Sequence, residues 1–177
     1  GIGILINTAD NNTISGNTVS GNFGLGISDT AGTGNQIINN IIGTNTGGGV
    51  SIFNGGGNLN GNIITGNTGL GILVNASTGN QLTNNTVGLN TLGGISLSKS
   101  SVTLTSNSIA GNFGSGVALD SSNGNTLTGN SITGNSGFGI CVTASTGNQI
   151  TNNIFGTNTL GGISTIKITM AMTNKTA

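Results

Sequence analysis

Charge is the first thing missing. Charged residues make up 3% of the chain, against about a quarter in ordinary globular proteins. Glu, Arg, His, Pro, Trp and Tyr do not occur at all. Each absence excludes something. The cations are Lys99, Lys167 and Lys175, so no basic patch can neutralise phosphates, and nucleic acid is excluded as a partner. Without His and with a single Cys141, zinc fails on ligand count and no internal disulfide can form. The carboxylates are Asp10, Asp29 and Asp120, too scattered for a calcium site or for the carboxyl pair that glycoside hydrolysis needs. Catalysis and a cofactor are therefore not expected. No apolar run is long enough to span a membrane. No signal peptide is visible and the first residue is Gly1, which reads as a mature or excised segment.

What fills the space is Gly, at 35 of 177 residues, with many Asn, Thr and Ser. Such a composition can mean disorder. Yet 33% of the residues are hydrophobic, mostly Ile, Val and Leu, and their placement is regular. A Gly preceding Ile or Val stands at 3, 26, 49, 71, 94, 116, 139 and 162, in steps of 22 or 23. Four apolar columns keep this period. One runs Ile14, Ile37, Leu59, Leu82, Leu104, Leu127, Ile150; the next starts Val19, Ile42, Ile64; the third Ile4, Ile27, Val50; the fourth Ile6, Ile52, Val74, interrupted by Asp29 and Thr165.

Two Asn columns are unbroken: Asn17, Asn40, Asn62, Asn85, Asn107, Asn130, Asn153, and Asn22, Asn45, Asn67, Asn90, Asn112, Asn135, Asn158. From the first apolar column to the Gly is always 12 residues, and from the Gly onward 10 or 11. The length variation is thus confined to one corner. A weaker two-coil rhythm places "TGNQI" or "TGNQL" at Gly34, Gly79 and Gly147.

Local apolar alternation and β-branched residues predict short strands rather than helices. Strands joined at Asn and Gly corners make a coil, and stacked coils lie about 4.8 Å apart. A carboxamide both donates and accepts, so Asn stacked in register forms a ladder. The corners also need residues that tolerate the left-handed region, as Asn and Gly do.

The wording "N-x-[IV]-x-x-N-x-x-x-G-[IV]", repeated over residues 1 to about 165, resembles the right-handed parallel β-helix repeat family, pectate-lyase-like and surface-protein β-solenoids. The resemblance implies an all-β solenoid of about 7–8 coils of 22–23 residues, with residues 166–177 as a C-terminal capping or edge segment. It implies no one function, for that family spans pectin-degrading enzymes, tailspikes, adhesins, epimerase-type proteins and antifreeze-type solenoids.

Three functions stay open. The first is a non-enzymatic extracellular or cell-surface structural solenoid: a stalk, adhesin segment or fibre, associating end to end or laterally because near-zero charge removes repulsion. The second is ice binding through a flat Thr-rich face at Thr83, Thr103, Thr105, Thr126, Thr128 and Thr151, where Gln36, Gln81, Gln149 and Ile38 interrupt the rows. The third is a module that binds or modifies a polysaccharide. Asp29 interrupts an apolar column; the turn-rich "SDTAGTG" around it predicts rotation to solvent. Cys141, between inward Ile140 and Val142, is expected to point outward as a small filler. Four N-x-[ST] sequons, at Asn11, Asn75, Asn84 and Asn174, are what chance gives in such a composition.

Overall fold

A computed structural model describes residues 1–166. The expected capping segment, apart from Ile166, lies outside the described residues. The chain winds as a parallel β-helix with three sheets and no helix among the described residues. The first sheet stacks eight strands, from Ile4–Asn7 and Leu25–Thr30 to Phe138–Thr143 and Gly161–Ile166. The second stacks seven, from Thr13–Ser15 to Gln149–Thr151, and the third seven, from Thr18–Ser20 to Ile154–Phe155. Every pairing is parallel and joins a strand to its equivalent one coil away, as in Ile72↔Ile95 and Leu82↔Leu104.

The register follows from the apolar columns. A shift by one residue would turn every inward side chain to solvent. Ile37, Leu59, Leu82, Leu104 and Leu127 stack on the second sheet, Ile42, Ile64, Val87, Ile109 and Ile132 on the third, and all are fully enclosed. They form one continuous core with the inward residues of the first sheet. The Gly that precedes the third apolar column has a spatial cause. A methyl on Gly26 would lie 2.6 Å from Ile42 Cγ2 and 2.8 Å from the Gly49 carbonyl, because the chain there approaches the next coil and the opposite wall.

Both Asn ladders form without a gap. At the middle of the first, Asn85 donates its backbone N–H and its Nδ2 to Asn107 Oδ1 at 2.9 and 3.0 Å, and Nδ2 also reaches the Leu59 carbonyl at 2.9 Å. The second repeats this at Asn90, which donates to Asn112 Oδ1 at 3.1 and 3.0 Å and to the Ile64 carbonyl at 3.1 Å. The left-handed residue is not the ladder Asn but the one before it: Asn39, Asn84, Ser106 and Asn152 have φ of 54–56° and Gly16, Gly61 and Gly129 of 66–70°. That residue turns the corner and aims the following carboxamide down the axis.

The third corner carries a ladder of hydroxyls. The N–H groups of Ser77, Ser100 and Ser122 donate to the Oγ of Ser100, Ser122 and Ser145 at 3.2, 3.1 and 2.9 Å. Just after this corner lies the length variation. Gly34 and Gly79, with φ of 69° and 76°, insert one residue, and the register shifts between Thr33 and Asn35 and between Thr78 and Asn80. The extra residue is a β-bulge.

Candidate functional site

The outward face of the second sheet carries a surface recess shaped by the Gln and Asn wording. Leu59 and Leu82 point inward, so their neighbours on either side point out. One outward column runs Gln36, Asn58, Gln81 and the other Ile38, Asn60, Thr83, in register across three coils. Between them lies a shallow polar groove of about 270 Å³. Asn58 Nδ2 donates to Gln36 Oε1 at 3.2 Å, and Gln36 Nε2 donates to the Gly34 carbonyl at 3.2 Å, which fixes two of the amides. At the rim, Asn84, held at φ 55°, donates Nδ2 to Asn60 Oδ1 at 3.5 Å. Gln81 is exposed to solvent. The groove therefore offers carboxamide donors and acceptors beside the half-buried Ile38.

All six Thr of the expected face stand on these same outward columns. Thr103, Thr126 and Thr105, Thr128, Thr151 are in register with one another, and Thr83 is in register with Thr105. Of the six, Thr83 alone lines the groove. Thr128 Oγ1 lies 2.7 Å from Thr151 Oγ1 and 3.1 Å from its carbonyl, so this hydroxyl is already partnered. From the sequence, Gln36, Asn58, Asn60 and Gln81 are only neighbours of the apolar column or interruptions of the Thr rows, and Asn84 only the start of a sequon. Their signal was the recurring "TGNQ", which sets Gln36 and Gln81 two coils apart.

The titratable groups lie elsewhere. Asp29 departs from expectation: it is 1% exposed. The strand Leu25–Thr30 runs straight through it, and its partners in the apolar column are Ile6 and Ile52. Strand phase overrides the turn-like wording that follows. Its Oδ2 accepts from Asn35 Nδ2 at 3.0 Å, whereas Oδ1 has no hydrogen-bond partner among the described residues. Burial pushes its carboxyl above the ordinary value; the Asn35 bond opposes this and the nearby Asp10 charge adds to it. Asp10 is exposed, and the Thr33 N–H and hydroxyl, at 2.7 and 2.9 Å, hold its carboxyl below the ordinary value. Asn123 makes the same pair of bonds to Thr146, so Asp10 is a bulge-closing residue. Cys141 is half-buried, in register with outward Ala118 and Ser164. Among the described residues, no group of three His, Cys, Asp or Glu could hold a metal ion.

Residues 42–168 match the family described as periplasmic copper-binding protein (NosD). The chain belongs to the NosD family. Two solved structures share its fold: a periplasmic alginate epimerase AlgG, at 17% identity over 96% of this chain with a TM-score of 0.74, and a point mutant of AlgG, at 18% over 94% with a TM-score of 0.75. The chain spans 48% of the length of either. No curated protein matches. These findings overturn the expectation that the chain is not an enzyme. The fold it shares is that of an epimerase, so the scattered carboxylates give no ground for excluding catalysis. They lend no support to an adhesin, filament or ice-binding reading. The family and the solved structures are periplasmic, which agrees at a coarse level with the expected extracellular location, and no helix of the described residues is long and apolar enough to cross a membrane.

The copper of the family's description does not fit the donors present. Copper sites draw on imidazole and on thiolate or thioether sulfur. The sequence has no His, one Cys and two Met; Met170 and Met172 lie outside the described residues, and among the described residues the one hydrogen-bond contact of the Cys141 sulfur is the Thr143 hydroxyl at 4.0 Å.

Proposed function

We propose that this chain is an extracytoplasmic β-helix module that engages a polysaccharide across the outward face of its second sheet. The observation that carries the reading is the groove. Carboxamides on three successive coils present both donors and acceptors, which is what a row of sugar hydroxyls requires. The alginate epimerases of the same fold support it as an analogy of architecture. Engagement here includes recognition and any chemical step on the bound chain.

The test is affinity electrophoresis through gels containing different polysaccharides. At least one polymer is expected to retard the protein, and Gln81→Ala with Asn58→Ala is expected to restore mobility. Both side chains point away from the core, so the variants fold. Free migration through every polymer refutes the reading. NMR spectroscopy of the polymer after incubation reads any modification.

A further inference from the structure

We infer that the groove takes an uncharged, hydroxyl-rich glycan chain lying along the solenoid axis, and not a polyuronate. This rests on the polysaccharide reading above and names its substrate class. A carboxylate on every sugar loses water on binding, which costs heavily unless the charge is paired with a cation. Among the described residues the groove has no cation. Its lining is Gln36, Asn58, Asn60, Gln81, Thr83 and Asn84 with Ile38 and Leu59. Lys99 lies on a separate depression with Thr78, Ser100, Ser101, Ser121 and Asn123. With net charge zero over the chain, no long-range field draws a polyanion in.

The same residues suit neutral hydroxyls. Each carboxamide offers two donors and one acceptor oxygen, a match for vicinal hydroxyls that do both. Two of the amides are held in place: Gln36 by Gly34, Asn58 by Gln36. Ile38 gives an apolar surface to the C–H side of a ring. Spacing sets the direction. Gln36 and Gln81 stand in one column two coils apart with Asn58 between, about 9.6 Å along the axis. That is close to the length of an extended disaccharide, so alternate sugars of a chain running along the axis meet equivalent amides.

Isothermal titration of the full chain with two sets of probes decides it: β-1,4-linked gluco-, manno- and xylo-oligosaccharides, and oligomers of mannuronate and galacturonate. A neutral oligosaccharide is expected to bind, with affinity unchanged up to about 1 M salt, and Gln81→Ala to weaken it about three- to tenfold. The uronates are expected to give no heat. Uronate binding equal to or tighter than the neutral set overturns the inference and leaves the polysaccharide reading standing. Silence from both sets overturns the two together.

Discussion

Asn85→Ala removes the middle rung of the first ladder, and the structure sets its cost. The Asn85 side chain is 1% exposed. Its Oδ1 accepts from both the backbone N–H and Nδ2 of Asn62, each at 3.0 Å. Alanine leaves these two buried donors without that acceptor. Asn62 Nδ2 keeps its other bond, to the Ile37 carbonyl at 2.8 Å, but the backbone N–H loses its only side-chain partner. A buried donor left unpaired costs about 1–3 kcal/mol. The pair together gives about 2–6 kcal/mol, with a smaller cavity contribution. Asn17→Ala is the control. Asn17 is exposed at the first coil and only donates, to Ser15 and Asn40, so no described donor is orphaned, and its cost is expected below about 1 kcal/mol. Urea unfolding at fixed m value measures both. If the two variants fall within about 0.5 kcal/mol of each other, ladder satisfaction is not what stabilises the corners, and the reasoning fails.

Three further outcomes follow from other parts of the fold. Asp29 has a folded-state pKa above its unfolded value, so its stabilising contribution is complete below the ordinary carboxylate range and is lost as pH rises through the folded pKa; Asp29→Asn, which keeps the acceptor for Asn35, should raise the urea midpoint at about pH 7 and not at about pH 3, and an equal shift at both sinks the assignment. A methyl on Gly71 would lie 2.5 Å from Val87 Cγ1 and 2.7 Å from the Gly94 carbonyl, whereas one on Gly66, at φ 67°, meets open space; Gly71→Ala should therefore cost more than Gly66→Ala, which carries only the left-handed penalty of about 1–2 kcal/mol, and the reverse order in thermal melts would contradict the packing argument. Equilibrium dialysis against Cu(II) should show no stoichiometric site, because the sequence holds no imidazole; tight one-to-one retention would show a donor set beyond those described.

The coil was legible in the sequence because a solenoid repeats its constraints at every level. Ile42 stacks between Val19 and Ile64, so each coil must use the same residue class at the same phase. The Asn columns were legible for the same reason, and the corner with variable length proved to be the Gly34 and Gly79 bulges. What failed was inference from local wording. "SDTAGTG" looked like a turn, but Asp29 obeys the inward phase of its strand. The Ser ladder was hidden because its column begins Ala9, Gly32, Gly55 before Ser77 appears. The groove was hidden for a different reason: it is a relation between coils, and in one dimension Gln36 and Gln81 only interrupt rows of Thr.

Side-chain length explains why a groove exists at one end of this face and not along all of it. In the first outward column Asn58 stands between Gln36 and Gln81, one methylene shorter than both, so the column dips at the middle coil. In the second column Asn60 stands between Ile38 and Thr83. Farther along, Thr103 and Thr126, with Thr105 and Thr128 beside them, are of equal length and leave the surface level. The inward positions have far less freedom, since the core and the ladders constrain them, with Asp29 as a buried exception. The outward columns can vary by a methylene, a hydroxyl or an amide at almost no cost to the fold. A periplasmic family described by copper and an epimerase of alginate can therefore share one scaffold with a chain that carries a recess lined by neutral amides.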